Sequence, residues 1–299
     1  MNREKNQTNL MLLKNRIFEL LKEDGAEKVS IIKAEKNNGV TLYGIQIRVF
    51  DSMIAPVYYP PTELLYDEKG IERVAHEIAE QFRTISFQVT DQKFEFSDYE
   101  SLKDKLRIGI MNRSMNERKL TGVPYKEFLD LAEVAILEIE IAGEYGGVLV
   151  NEDLLSSWNI SVDDMFFEAR INSYTYEPVH VEKLDEIVEK MRQEGVESEV
   201  NVGTPFLYLS NNRGRRGASA ILYPDIADQI LDHTKGESFY IIPSSVCELL
   251  VLPESVVDDR DHLKQMIEDV NSTVLDRQDI LSDNLYYYDV QKMQYEIVP

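Results

Sequence analysis

The spacing of apolar residues predicts two amphipathic helices near the start of the chain. Apolar side chains recur at three- and four-residue spacing from Leu10 to Leu21, and this first helix should end near Gly25. A second stripe with the same spacing places His76 and Glu80 on the solvent side of its helix. The side chains predicted to be buried on that second helix are Ile71, Val74, Ile78 and Phe82.

Between these helices the pattern changes to that of a β-hairpin. Residues 29–36 and 40–50 have strand character, and Asn38-Gly39 can supply the positive φ angles that a tight hairpin turn requires. Helix, hairpin and helix together form the N-terminal helix-hairpin-helix domain that we predict at residues 1–96. We place its boundary within the polar segment 90–100, which has little periodicity.

The rest of the chain mixes helices and strands without the regular alternation that builds a parallel sheet. We therefore predict a C-terminal acidic α+β domain at residues 97–299, and α+β is the predicted fold class of the chain. Predicted strands cover residues 106–111, 137–141, 148–150, 206–209, 239–242 and 285–298. Helices are predicted after the N-cap residues Asn151 and Ser161 and over residues 181–191, 225–231 and 263–270. Trp158, the only tryptophan, should be buried between the first two of these helices.

The charge of the chain is strongly acidic and unevenly distributed. The net charge is −22, and residues 133–199 and 225–296 carry −13 and −11. This balance argues against broad nonspecific binding to nucleic acid or anionic membranes, and it suits a basic protein partner. No apolar segment approaches the roughly 20 residues of a membrane-spanning helix, and the polar start is unlike a signal peptide. We therefore expect a cytoplasmic protein.

Two segments are basic against this background. Residues 103–119 hold six lysines and arginines, and the loop 211–217 holds three arginines beside Gly214 and Gly217. A guanidinium group donates two hydrogen bonds to one phosphate or carboxylate, and glycines let backbone N–H groups approach an anion. Ion pairing with the acidic segments is the structural alternative. The candidate anion contacts are Arg213, Arg215 and Arg216.

One segment after a predicted strand carries groups that could act in nucleophilic catalysis. It offers two hydroxyls, the only thiol and a carboxylate, but no base can be assigned to them from the sequence. Serine before a short apolar run is also typical of a helix N-cap, and we expect Ser244 or Ser245 to cap a helix. The catalytic candidates are Ser244, Ser245, Cys247 and Glu248.

Other patterns that could indicate a metal or a cofactor are incomplete. His76 and Glu80 lack the second histidine of a zinc-protease motif, and one cysteine cannot build a multi-cysteine zinc site. Glu138 and Glu140 alternate with apolar residues, which predicts the solvent face of a strand rather than an acid–base pair. Residues 143–147 lack the lysine and spacing of a nucleotide-binding loop. We predict no metal and no cofactor.

Five phrases occur along the chain in this order: KNNGV (36–40), PYKEFLDLA (124–132), GASAILYP (217–224), IIPSSVCELLVLP (241–253) and LSDNLYYY (281–288). Together they resemble an uncharacterised bacterial family that is numbered five-six-eight-eight among the domains of unknown function. The resemblance spans most of the chain and implies no activity. It also implies that a histidine of the family is replaced by Cys247, so any catalytic role of that histidine would be missing here.

Three functions remain open from the sequence. The leading hypothesis is a non-enzymatic interaction protein whose acidic surface engages a basic protein partner, with an inhibitor or nucleic-acid mimic as its sharpest form. The alternative is a hydrolase or transferase that acts near Ser244, Ser245 and Cys247 with an anion site on the arginine loop. The third is a small-ligand or nucleic-acid binding module built from residues 103–119 and the same loop.

Overall fold

The computed structural model describes residues 3–48, 57–88, 96–141, 144–193, 195, 203 and 205–299. The chain divides into two compact units. The first comprises Met1–Lys36, Val40–Phe96 and Ile139–Gly146, and the second comprises Asn37–Gly39, Ser97–Glu138 and Gly147–Pro299. Within the described ranges, no helix is long and apolar enough to cross a membrane.

The first unit packs two amphipathic helices and a small antiparallel sheet around one apolar core. Its elements are α1 (Arg3–Leu21), β1 (Lys28–Glu35), β2 (Thr41–Arg48), β3 (Val57–Tyr58) and α2 (Glu68–Gln88). A 3₁₀ turn follows α1 and ends at Gly25, whose φ of 89° terminates the helix as predicted. The prediction for α2 is confirmed, because all four stripe residues are buried in the core while His76 and Glu80 are exposed.

The two strands β1 and β2 form the predicted hairpin. They pair antiparallel from Lys28↔Arg48 to Glu35↔Thr41, and Asn38 and Gly39 in the turn have φ angles of 54° and 70°. The turn residues Asn37–Gly39 belong to the second unit. Residues 49–50 of the predicted strand and residues 90–95 of the predicted boundary segment lie outside the described residues.

The second unit is mixed helix and sheet, and the fold class of the chain is α+β. Its first elements are α3 (Tyr99–Leu102), β4 (Leu106–Asn112), β5 (Tyr125–Phe128), β6 (Leu131–Ile141), β7 (Glu144–Leu149), α4 (Glu152–Trp158) and α5 (Val162–Tyr176). The end of β6 and the start of β7 fall in the segment Ile139–Gly146 of the first unit. Strand β6 lies between β4 and β5, and β7 also pairs with it. Helix α5 packs on β4, where the hydroxyl of Ser173 accepts a hydrogen bond from the backbone N–H of Ile108 at 2.8 Å.

An antiparallel sheet is built from the remainder of the second unit. Its elements are β8 (Val179–Lys183), α6 (Leu184–Gln193), β9 (Leu207–Asn211), α7 (Ile226–Thr234), β10 (Phe239–Ile242), β11 (Leu249–Pro253), α8 (Arg260–Thr273), β12 (Tyr286–Asp289) and β13 (Gln294–Ile297). The strand order is β13-β12-β10-β11-β9-β8. The helix predicted from residue 181 is wrong at its start, because Val181 pairs with Leu209 in β8. The final extended segment is the β12–β13 hairpin.

Local signals define the two helices that precede β8. Asn151 caps α4 by accepting a hydrogen bond from the N–H of Leu154 at 2.9 Å, and Ser161 caps α5 by accepting one from the N–H of Asp164 at 3.1 Å. Trp158 is buried, as predicted, with its ring 5.5 Å from that of Tyr99. Both N-cap predictions are therefore confirmed.

Buried asparagines hold the hairpin turn within the second unit. The side-chain amide of Asn38 donates to the carbonyls of Arg277 and Ile280, each at 2.7 Å. The side-chain oxygen Oδ1 of Asn38 accepts from the side-chain amide of Asn116 at 2.8 Å, and the backbone N–H of Asn38 donates to Asn116 Oδ1 at 2.8 Å. Asn38 thus satisfies every polar atom of its amide with a partner in this unit.

Asp130 connects two of the phrases that resemble the family. One of its carboxylate oxygens accepts from the hydroxyl of Ser282 at 2.6 Å and from the amide of Asn284 at 3.0 Å. The other accepts from the hydroxyl of Tyr286 at 2.6 Å. These charge-assisted bonds give Asp130 a structural role in the second unit.

Candidate functional site

The arginine loop, residues 211–217, follows β9 and is held by hydrogen bonds between the side chain of Asn211 and the loop backbone. Asn211, at the end of β9, accepts from the N–H of Arg213 at 3.1 Å and donates its side-chain amide to the carbonyl of Arg215 at 2.8 Å. Arg216 has a φ of 52°, which non-glycine residues seldom adopt, and it precedes the 3₁₀ segment Gly217–Leu222. The loop conformation therefore fixes where the arginine side chains point.

Two of these arginines enter a cluster of charged side chains in the second unit. Nη1 of Arg213 and Nη2 of Arg216 each bind one oxygen of Glu138, at 2.8 and 2.9 Å. Nη2 of Arg216 also reaches Glu177 at 3.3 Å. Nε of Arg107 lies 4.0 Å from Glu138 and 3.9 Å from Glu177, beyond hydrogen-bond distance. We call these five residues the arginine–glutamate cluster.

Burial and charge act differently on the two glutamates. Burial alone would raise the pKa of Glu138, but the hydrogen bond from Arg216 and the nearby charges outweigh it and lower that pKa. For Glu177 burial dominates, and its pKa is raised despite Arg216. Burial also lowers the pKa of Arg107. The arginines therefore stabilise the charged form of Glu138, whereas burial opposes the charged form of Glu177.

The prediction that Glu138 lies on the solvent face of its strand is wrong. Both Leu137 and Glu138 are buried, because the arginine side chains cover the face that the alternating pattern assigns to water. Gly109 on β4 lies beside this covering, where a Cβ would clash with Ile136 at 2.6 Å and be in ordinary contact with Arg216 at 3.7 Å. Glu140, in contrast, is exposed as predicted.

The cluster unites the two basic segments of the sequence. Arg107 comes from residues 103–119, and its side chain is buried beside Arg213 and Arg216 of the loop. Other cations of the first segment pair outside the cluster, as Lys103 does with Glu100 and Arg113 with Glu127. An arginine inside the otherwise apolar strand 106–111 is the signal that could have indicated its burial.

The catalytic candidates lie on the turn between β10 and β11, not at the start of a helix. The expectation that Ser244 or Ser245 caps a helix is wrong, because the chain returns antiparallel with Ile242 paired to Leu250. The hydroxyls of Ser244 and Ser245 donate to Glu248 Oε1 at 3.3 and 2.7 Å. Ser245 also accepts from the N–H of Cys247 at 3.0 Å, so these polar groups close the turn.

The thiol and hydroxyls of this turn lack the environment of an activated nucleophile. Burial raises the pKa of the Cys247 thiol, which disfavours the reactive thiolate. Ser245 is buried, and its hydrogen-bond partner Glu248 also serves Ser244. Among the described residues no group of histidines, cysteines and carboxylates could hold a metal ion.

The arginine loop and the β10–β11 turn are in contact. A Cβ at Gly217 would lie 2.1 Å from Ser210 Oγ and 2.2 Å from the carbonyl of Cys247, so only glycine fits there. The N–H of Ala218 donates to the carbonyl of Val246 at 3.4 Å. The two candidate sites of the sequence are therefore neighbours.

A cavity of about 320 Å³ lies beside Ser244. Its walls are mainly apolar and include Ile242, Leu250 and Met266, with Asn271 as a second polar side chain. The amide of Asn271 is already bound to the carbonyl of Ser282 at 3.0 Å. This cavity has the size of a small-ligand pocket, but the arginines are not among its lining residues.

The exposed side of α5 forms a larger concave surface. Phe167, Ile171 and Tyr174 lie one helical turn apart, and 64%, 46% and 49% of their surfaces are exposed. With Leu222 and Pro224 they line a depression of about 620 Å³, which we call the α5 groove. The same helix buries Met165, Phe166 and Ala169 on its other side. Helix α5 is thus apolar on both faces, which is unusual for a surface helix.

Charged residues border the α5 groove. Lys126 pairs with Asp163 at 3.2 Å, and Arg170 makes a bidentate ion pair with buried Glu133 at 2.7 and 2.5 Å. The hydroxyl of Tyr174 donates to Asp225 at 3.1 Å. Asp164 and Glu168 add further negative charge on α5. The lining of the groove itself holds Lys126, Arg170 and Asp163, and each of its two cations is paired with a carboxylate.

The chain belongs to the family of unknown function DUF5688, whose model matches residues 9–290. No curated protein and no solved structure matches the chain.

Proposed function

We propose that this member of the DUF5688 family is an interaction protein whose α5 groove binds an amphipathic, basic segment of a partner protein. The observation that carries the proposal is the exposed apolar stripe of Phe167, Ile171 and Tyr174 along the α5 groove. Helix-in-groove recognition uses apolar anchors at this spacing. A contiguous exposed apolar patch marks an interaction site, because soluble proteins generally keep such patches small.

The apolar stripe supplies the energy that such a contact requires. Covering Phe167, which is 64% exposed, would remove roughly 100–150 Å² of apolar surface from water, worth about 3 kcal/mol. Ile171 and Tyr174 add to this amount on the same face. A few aromatic anchors commonly contribute most of the affinity of an interface.

Charge determines which kind of segment fits. The chain carries a net charge of −22, and the cations of the groove, Lys126 and Arg170, are each paired with a carboxylate of the protein. A basic segment would meet unneutralised carboxylates at Asp164 and Asp225, whereas an acidic segment would be repelled. The complementary occupant is therefore cationic on its polar face and apolar on the other.

The catalytic alternative has less support. A hydrolase or transferase at Ser244, Ser245 or Cys247 needs an accessible nucleophile with a free base, but Ser245 is buried and burial raises the pKa of Cys247. Glu248 is engaged by both serine hydroxyls. The hydrogen bonds of these groups close the β10–β11 turn, and this structural role accounts for their presence.

The test uses a defined probe, a labelled helical peptide with lysines on one face and leucines at four-residue spacing on the other. Fluorescence anisotropy should detect its binding, and added salt should weaken it. The double variant Phe167→Ser/Ile171→Ser should lose affinity on the order of 10- to 100-fold. The matched control Val274→Ser/Met293→Ser changes two side chains that are even more exposed outside the groove and should bind normally.

Three results would contradict the proposal. The first is equal binding of a scrambled peptide of the same composition, which would make the attraction nonspecific. The second is unchanged affinity in the Phe167→Ser/Ile171→Ser variant. The third is a dimer, measured by sedimentation, that this variant dissociates, because a second copy of the chain would then occupy the groove.

A further inference from the structure

We infer that the cavity beside Ser244 binds a small, uncharged and mainly apolar molecule that carries a hydrogen-bond donor, an alcohol being the simplest example. All described residues that line this cavity belong to the second unit. None of them lines the α5 groove, so the inference does not rest on the proposed function. It rests on the apolar walls of the cavity, on its volume and on the hydrogen bonds that its two polar side chains already make.

The walls of the cavity are apolar both on helix α8 and on the sheet. Helix α8 contributes Met266, Ile267 and Val270, which share one face of the helix. The sheet contributes Ile242 from β10 and Leu250 from β11. Met266, Val270 and Leu250 are only partly buried, so a solute can reach these walls from water. A ligand that covers them would remove their apolar surface from water, which favours binding.

The volume of the cavity limits the size of its ligand. A dry apolar cavity of roughly 150 Å³ is large enough to bind benzene. The cavity of this protein measures about 320 Å³, which is room for a molecule of roughly ten non-hydrogen atoms. The ligand is therefore a small molecule rather than a nucleotide or a peptide helix.

The two polar side chains of the cavity determine which polar group suits the ligand. The side-chain nitrogen of Asn271 donates to the carbonyl of Ser282 at 3.0 Å and to Asp283 Oδ1 at 2.8 Å. Both amide hydrogens are thus used, and Asn271 can offer a ligand only its side-chain oxygen, an acceptor. The hydroxyl of Ser244 donates to Glu248 at 3.3 Å, and its oxygen can accept a further hydrogen bond. Both groups therefore favour a ligand that donates.

The surroundings of these polar groups disfavour a charged ligand. Among the described residues that line the cavity, none carries a charge. Each of the two polar side chains is hydrogen-bonded to a carboxylate, that of Glu248 or that of Asp283. These carboxylates would repel an anionic head group such as that of a fatty acid. A cation would lose its hydration against apolar walls. An uncharged donor such as a hydroxyl group avoids both costs.

The experiment follows the methionine methyl groups of the 299-residue chain by NMR while 1-hexanol is added. The methyl signal of Met266, assigned from its absence in Met266→Leu, should shift and reach saturation. Met293 is 76% exposed and does not line the cavity, so its signal reports any nonspecific effect of the alcohol. In the series 1-butanol, 1-hexanol and 1-octanol, the Kd should fall about fourfold for each added methylene group.

Matched substitutions locate the site. Val270→Phe fills part of the cavity and should raise the Kd for 1-hexanol about tenfold or more. Val274→Phe is the control, because Val274 lies four residues further along, is 73% exposed and does not line the cavity. If Val270→Phe does not fold, Leu250→Phe narrows the same cavity from β11 and should raise the Kd in the same way.

Three analogues of 1-hexanol test the chemistry that the site selects. Methyl pentyl ether is an isomer without a donor, and it should bind about tenfold more weakly because the acceptors of the cavity stay unpaired. The hexanoate and hexylammonium ions should bind more weakly by about tenfold or more, because each brings a charge into an apolar site.

Two results would overturn the inference of a binding site. One is a Met266 signal that none of the three alcohols shifts to saturation. The other is an equal Kd for 1-hexanol in Val274→Phe and in whichever cavity-filling variant folds. Binding of the ether, or of either ion, as tight as that of 1-hexanol would refute the assignment of the ligand as an uncharged donor.

Discussion

Replacement of Asn38 by alanine should destabilise the second unit by about 4 kcal/mol. The side chain of Asn38 is buried, and its amide makes three hydrogen bonds, to the carbonyls of Arg277 and Ile280 and from the amide of Asn116. In Asn38→Ala, each of these three buried partner groups would lose its hydrogen bond to the Asn38 side chain. An orphaned buried polar group costs about 1 kcal/mol or more, so the three together account for about 3 kcal/mol.

The backbone of Asn38 adds a second contribution. Its φ is 54°, in the left-handed region that asparagine tolerates and alanine does not. This strain costs about 1 kcal/mol for alanine. Asn38→Gly also loses the three hydrogen bonds but escapes the strain, so it should be about 1 kcal/mol more stable than Asn38→Ala.

Urea unfolding followed by tryptophan fluorescence measures both variants. Trp158 is the only tryptophan and is buried in the second unit, so its emission reports on that unit. A loss below about 1 kcal/mol in Asn38→Ala would refute the idea that the buried amide holds the turn. Equal stability of the alanine and glycine variants would refute the contribution of backbone strain.

Three further predictions concern ionisable groups. The lowered pKa of Glu138 means that its stabilisation is present above the ordinary value of 4.5 and is lost as the pH falls through the folded-state pKa, so Glu138→Gln should flatten the acid limb of stability in urea unfolding. The raised pKa of Glu177 gives the opposite sign, with stabilisation lost as the pH rises through its folded-state pKa, and Glu177→Gln should remove that loss; parallel pH profiles of variant and wild type would contradict either statement. Burial raises the pKa of Cys247 above its ordinary 9.0, so alkylation by iodoacetamide should be slow at neutral pH and accelerate only above pH 9, whereas rapid labelling at pH 7 would indicate an activated thiol.

Features that depend on neighbouring residues could be predicted from the sequence. The stripes of α1 and α2, the Asn-Gly turn between β1 and β2, and the N-caps Asn151 and Ser161 all agree with the structure. In each case the interaction that defines the element joins residues within a few positions of one another, such as a side-chain oxygen and an N–H three residues later.

The sequence pattern was insufficient to predict secondary structure where strand pairing or a covering element decides it. Val181 fits a helical stripe, but its hydrogen-bonded neighbour is Leu209 in β9. Ser244 and Ser245 precede an apolar run that could begin a helix, yet that run is β11, which pairs with β10 and β9. Strand pairing joins residues far apart in the chain, and local propensity does not contain this information.

The charged cluster is the clearest case of a feature that only tertiary structure decided. Arg107, Glu138, Glu177, Arg213 and Arg216 are separated by up to 109 positions in the sequence. Composition and spacing did identify the arginine loop as a distinctive basic segment. They could not indicate that Glu138 turns away from water, because alternation along a strand distinguishes its two faces but not whether the second face is covered. That covering depends on the distant arginine loop, whose Arg213 and Arg216 bind Glu138 at 2.8 and 2.9 Å.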